Sequence, residues 1–146
     1  MALPASRISL KGRALRLLSQ REHSRVELER KLAAHEEEPG SLARALDELE
    51  AKGFISEERV VESVVHRRAS KLGAARVQQE LAAKGLSAES MSLALEQLRG
   101  TEFERARDVW SRKFGESATD PQERAKQMRF LLSRGFAAEV VRKVTG

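Results

Sequence analysis

Three short stretches constrain this chain more than anything else in it. Lys52-Gly53-Phe54, Lys84-Gly85-Leu86 and Arg134-Gly135-Phe136 share one pattern: a cation, a glycine, then an apolar residue. That is how an α-helix stops. The cation offsets the negative end of the helix dipole. Glycine then takes the left-handed conformation, and the apolar residue folds back on the helix. The second and third stops lie fifty positions apart, and Glu89 and Glu139, Met91 and Val141, Arg76 and Lys126, and Leu81 and Leu131 keep that spacing. Ser24 to Leu32 aligns with Gly73 to Leu81 at a spacing of 49. Punctuation recurring at this period marks a tandem repeat of small helical units.

Helix starts agree. Ser24-Arg25-Val26-Glu27 and Thr101-Glu102-Phe103-Glu104 have the form of a capping box. Asp120-Pro121-Gln122-Glu123 places an Asp cap before a proline at the first helical position. Ser56 and Ser87 are further caps. Between starts and stops, apolar residues fall three and four apart, as in Leu42, Leu46, Leu49 and in Phe103, Ala106, Trp110, and strand-like alternation is absent. The expected fold is all-α. It has three tandem trihelical repeats, spanning 9–55, 56–100 and 101–146, after an N-terminal tail of residues 1–8. One such unit has a marginal core, so the repeats are expected to stack.

Composition excludes several functions. The 146 residues contain no cysteine, which removes disulfides, thiolate metal sites and a cysteine nucleophile. No apolar run is long enough to span a bilayer, and residues 1–9 lack a signal-peptide core, so a cytoplasmic protein without a membrane partner is expected. No glycine-rich phosphate cradle occurs. The three histidines, His23, His35 and His66, are too scattered for a metal site. His35 beside Glu36, Glu37 and Glu38 reads as a solvated loop, and Ser24 beside His23 as a helix cap. No catalytic constellation and no cofactor are expected.

Positive charge is the better lead. Lys and Arg number 27 against 22 Asp and Glu, and residues 101–146 alone carry +3. Cations cluster where the first and second helices of each repeat meet. Arg13, Arg16, Arg21 and Arg25 lie there in the first repeat. Arg67, Arg68, Lys71 and Arg76 follow in the second. Arg105, Arg107, Arg112 and Lys113, then Arg124, Lys126 and Arg129, mark the third. Such clusters suit phosphates or an acidic protein surface. Phe54, Phe103, Phe114, Phe130 and Phe136 sit at apolar positions and read as core.

These residues also resemble a known family. The stretch from Ala14 to Leu28 is similar to the opening of the RecX family, bacterial regulators of the RecA recombinase. Gly53-Phe54-Ile55-Ser56 resembles that family's join between repeats. Arg67-Arg68, Lys71, Gly73, Arg76-Val77 and Glu80 to Gly85 resemble its most characteristic stretch, and Met128 to Phe136 its last repeat. The resemblance implies an elongated, curved stack of three trihelical repeats. It also implies binding in the groove of a RecA filament on single-stranded DNA, with filament extension blocked and ATP hydrolysis and strand exchange lowered. A monomer without catalytic residues is expected. Charge clustering plus the resemblance nominates Arg67, Arg68, Lys71 and Arg76, then Arg21, Arg25, Arg112, Arg124, Lys126 and Arg129, as contacts. The competing expectations are a helix-turn-helix-like regulator that binds single- or double-stranded DNA directly, and an adaptor for another acidic partner.

Overall fold

In the computed structural model, residues 8–146 are described. The expected tail therefore lies, apart from Ile8, outside the described residues. Among the described residues the ordered elements are helical: α1 (Leu10–Gln20), α2 (Arg25–Leu32), α3 (Ser41–Ala51), α4 (Glu57–Arg68), α5 (Ala74–Ala83), α6 (Ala88–Gly100), α7 (Glu102–Lys113), α8 (Pro121–Ser133) and α9 (Ala138–Thr145), with a 3₁₀ turn at Ala33–His35. None of these helices is long and apolar enough to cross a membrane.

The helix ends follow the local chemistry closely. Ser24 accepts from the Glu27 N–H (3.1 Å) while Glu27 accepts from the Ser24 N–H (3.0 Å), a complete capping box. Asp120 accepts from the Glu123 N–H at 2.8 Å ahead of Pro121. Ser9, Ser56 and Ser87 cap in the same way. Gly53, Gly85 and Gly135 all have φ between 73° and 90°. After α8, the Phe136 N–H donates to Leu131 O and the Gly135 N–H to Leu132 O, closing the expected stop.

Two expectations fail. Thr101 does not form a capping box: its hydroxyl lies 3.4 Å from the Gln97 and Leu98 carbonyls, pointing back into α6. The reason is that α6 runs to Gly100 and α7 starts at Glu102, so Thr101 has φ −110° and ψ 7° rather than an extended cap conformation. Phe54 and Phe103 are not core. They are 47% and 40% exposed. After the first glycine stop it is Ile55, one residue further on, that is buried.

The chain divides into two compact units. The first comprises residues up to Val60 together with Lys84–Leu86; the second comprises Val61–Ala83 and Ser87–Gly146. The core of the first unit is Ala14, Leu28, Leu32, Leu42, Leu46, Leu49 and Ile55. Glu36 accepts from the Leu42 N–H (2.8 Å), so the acidic loop serves the start of α3. The second unit packs Ala106, Val109, Leu131, Phe136 and Val141 together, flanked by Trp110, Met128 and Phe130. Trp110 donates to Gln127 (2.9 Å), and buried Gln127 donates to Glu116 O (3.1 Å), so polar groups inside this core are satisfied.

Candidate anion-binding surface

Each unit contains a place where a helix start of one repeat meets the glycine stop of the next. In the first unit, Ser24 Oγ donates to Lys84 O (2.6 Å), and a side chain on Gly85 would collide with Val26. In the second, the Gly73 N–H donates to Arg134 O (2.8 Å). A Cβ on Gly73 would lie 2.3 Å from Gly135 O, and one on Gly135 would lie 2.2 Å from Arg76 Cγ. Gly73 is therefore required for close approach, since no side chain fits between the two segments. The positions correspond: Ser24 with Gly73, Gly85 with Gly135.

Around the second contact the structure builds a support. The Glu102 side chain, 4% exposed, accepts from the Ala74 N–H (2.7 Å) and the Ala137 N–H (3.0 Å). One carboxylate thus serves the starts of both α5 and α9. Arg105 donates to Ala69 O, Leu72 O and Leu98 O at 2.6–2.8 Å, tying the ends of α4 and α6 to α7. Burial lowers the pKa of Arg105, partly offset by the nearby Glu102 charge. Its place in a basic sequence cluster thus conceals a structural role.

On this support lies an open concavity of about 830 Å³. Arg68, Lys71, Arg76, Arg112, Lys113 and Arg134 line it, with Glu80 as its one carboxylate and Leu72, Val109 and Phe130 as apolar floor. Arg68 and Arg67 pair with Glu80 at 2.9 and 3.8 Å. Arg112 donates to Ser70 O and Arg76 to Ser133 O, each at 2.7 Å. Lys113 and Arg134 lie over the Phe130 ring, 5.3 and 4.8 Å from its centroid, and Phe114 meets that ring edge-on at 5.5 Å. Among the described residues, Lys71, Arg76, Arg112, Lys113 and Arg134 have no carboxylate within 4 Å.

Much of this charge sits at the C-terminal ends of α4, α7 and α8, where cations are expected for local reasons alone. Magnitudes decide whether that explains them. Each helix end is worth about half a negative charge. Against six cations, three such ends and Glu80 leave an excess of about +3.5. Local capping does not neutralise the site.

Of the ten residues nominated from sequence, Arg68, Lys71, Arg76 and Arg112 converge here, and Arg67 adjoins through Glu80. Lys113 and Arg134 belong with them, although the sequence does not single them out: Lys113 is one more cation beside Arg112, and Arg134 has the form of a stop-signal cation. Arg124 lines a separate hollow with Asp120 and Met128, while Lys126 and Arg129 are exposed on α8 outside the concavity. In the first unit, Arg25 pairs with Asp47 (2.7 Å), Glu50 (3.2 Å) and Glu29 (3.5 Å). Arg21 and Lys84 both pair with Glu27, at 2.7 and 3.3 Å. Burial alone would raise the Glu27 pKa, but the Arg21 hydrogen bond, the Ser24 N–H and the Lys84 and Arg21 charges outweigh it and hold the carboxyl at about 2.

These features define an all-α, helical-repeat protein with a basic surface. Three family models match it in order: the first three-helix domain of RecX over residues 11–49, the second over 56–95 and the third over 101–145. The regulatory protein RecX of Leptothrix cholodnii is 55% identical over 144 residues, covering 99% of this chain and 92% of that protein. That of Ralstonia nicotianae is 49% identical over 144 residues, covering 99% and 91%. A crystal structure of regulatory protein RecX superimposes with a TM-score of 0.76 at 21% identity, covering 92% of this chain and 70% of that one. The RecX of Lactobacillus salivarius gives 0.72 at 18%, covering 92% and 91%. The chain belongs to the RecX family of regulatory proteins.

Proposed function

We propose that this protein is a negative regulator of the RecA recombinase. It binds in the groove of the RecA filament on single-stranded DNA, blocks filament extension, and lowers ATP hydrolysis and strand exchange. It acts in the cytoplasm as a monomer, by binding and without catalysis. The observation that carries this reading is the near full-length similarity to RecX regulatory proteins. The concavity supplies the means: a concentrated positive field steers association toward a filament of phosphate and acidic protein. Arg68, Lys71, Arg76 and Arg112 form the centre of the contact, extended by Arg67. Arg124, Lys126 and Arg129 are peripheral contacts that add positive charge, while Arg21 and Arg25 reach the partner only by exchanging their pairs with Glu27 and with Asp47, Glu50 and Glu29.

The test is single-strand-dependent ATP hydrolysis by RecA from the same source, with this protein titrated in below stoichiometry. Inhibition at a small ratio is expected. Unchanged hydrolysis at equimolar protein would sink the reading. A second reading, direct DNA binding by a helix-turn-helix-like unit, is favoured by the same six cations. It requires sequence-selective duplex binding without recombinase and a steep salt dependence.

A further inference from the structure

We propose that the concavity between α4, α5, α7 and α8 is a docking site for an extended acidic protein segment carrying an apolar side chain among its carboxylates. Three features choose this occupant over nucleic acid.

First, the site offers anions side-chain forks rather than a backbone cradle. Compact phosphates are commonly held by N–H groups at a helix N-terminus. The helices α5 and α9 start beside its lining residues, and the Ala74 and Ala137 N–H groups at those starts are already accepted by Glu102. The helix ends that reach the site are C-termini, whose partial negative charge opposes a dense polyphosphate. Carboxylates carry one charge each and can be spaced along a chain. They match arginine bidentately, and Arg68, Arg76, Arg112 and Arg134 supply four guanidinium groups.

Second, a single strand of nucleic acid binds by stacking bases on open aromatic faces. The one ring here, Phe130, is engaged by Lys113, Arg134 and the edge of Phe114. It holds two cations in place instead of presenting a platform.

Third, the floor is aliphatic as well as charged. Leu72, Val109 and Phe130 line it together with the cations. That composition suits a leucine or phenylalanine flanked by acids. The hollow is open rather than enclosed, as a site that takes a segment running across its surface must be.

Placing the segment on the recombinase rests on the regulator reading above; the chemistry of the site does not. The experiment uses the full chain and a fluorescein-labelled decapeptide, Glu-Asp-Glu-Leu-Asp-Glu-Phe-Glu-Asp-Glu, followed by anisotropy at 50 and 150 mM salt. Saturable binding is expected, and the version with Gln and Asn for every acid should bind at least tenfold more weakly. Lys71→Glu/Lys113→Glu/Arg134→Glu should lose at least tenfold. The milder Lys71→Gln/Lys113→Gln should lose several-fold with an unchanged circular dichroism melt, so misfolding is separable from lost contact. Unlabelled dT15 at equal charge should compete poorly. Absence of peptide binding, indifference to both variants, or displacement by dT15 at lower concentration than by peptide would each overturn the proposal. RecA inhibition is measured on the same preparations. Inhibition by a protein that does not bind the peptide overturns the docking site and leaves the regulator reading. Peptide binding by a protein that does not inhibit does the reverse.

Discussion

The two contacts between repeats solve one problem with different electrostatics. In the first unit, Ser24 meets the turn at Lys84 and Gly85, and Lys84 pairs with Glu27. In the second, Gly73 meets the turn at Arg134 and Gly135. Arg134 corresponds to Lys84, but the position matching Glu27 is Arg76, so the acid of the pair has become a second cation. The first contact neutralises itself. The second leaves its charge facing outward and relies on Gly73, on Glu102 and on Arg105 for cohesion. A repeat interface without that internal ion pair leaves Arg76 and Arg134 with no carboxylate partner among the described residues.

The sharpest way to break this comparison is Gly73→Ala. The added methyl meets backbone at 2.3–2.5 Å, which cannot move aside. A loss of about 3 kcal/mol, or roughly 10 °C in Tm, is expected. An unchanged melt would mean that the two segments do not touch. Next in size is Glu102→Gln, which turns an amide NH₂ toward Ala74 or Ala137 N–H. Chemical denaturation should show a loss of about 2 kcal/mol, and a result under a few tenths would remove Glu102 from its double role.

The first contact should respond to acid instead. Glu27 has a depressed pKa, about 2 against 4.5 when unfolded, so its contribution is complete above pH 4.5 and is lost as pH falls toward 2. His23 is buried, with Nδ1 3.0 Å from Arg21 O and Nε2 3.1 Å from Lys31 Nζ. Burial lowers its pKa, and the charges of Arg21 and Lys31 add to this, against the Arg21 carbonyl bond and Glu27. The neutral form is therefore the folded form, and stability should begin to fall as pH drops below 6.5. Glu27→Gln should cost about 1 kcal/mol at pH 7 and flatten the limb below pH 4.5. His23→Gln should flatten the limb just below 6.5. Retention of either limb in its variant would assign it elsewhere.

The smallest expected change in stability comes from Arg76→Glu, which restores to the second contact the acid that the first contains. Stability should shift by only about 0.5 kcal/mol. Affinity for the acidic peptide should still drop severalfold. Unaltered affinity would show that neutralising Arg134 is irrelevant to the surface.

The helices were legible because their ends are local events. Ser24 with Glu27, Asp120 with Pro121, and the glycine stops each act within a few residues. Thr101 failed because its conformation is set by how abruptly α6 ends and α7 begins. Phe54 failed because its residue type gives hydrophobicity but not the direction the chain takes after Gly53. The site was half legible. Arg68, Lys71, Arg76 and Arg112 were visible as a cluster. Neither the lack of a carboxylate partner at Lys71, Arg76 and Arg112 nor the engagement of Arg25 by Asp47 and Glu50, 22 and 25 positions further on, can be read along the chain. Arg105 and Glu102 carry the same difficulty further: a cluster of charge on paper is a buried scaffold in space.

The double role of Glu102 has a consequence for how the chain is made. Its two N–H partners lie 28 residues upstream and 35 residues downstream. During synthesis from the N-terminus, Ala74 is present when Glu102 emerges, but Ala137 is not. The second hydrogen bond of Glu102, and the packing of Val141 against Ala106 and Val109, therefore form only once α9 has left the ribosome. A chain halted before Ala137 would keep Leu131 and Phe136 against Ala106 and Val109 but lack Val141, and one oxygen of the buried Glu102 carboxylate would lose its N–H partner.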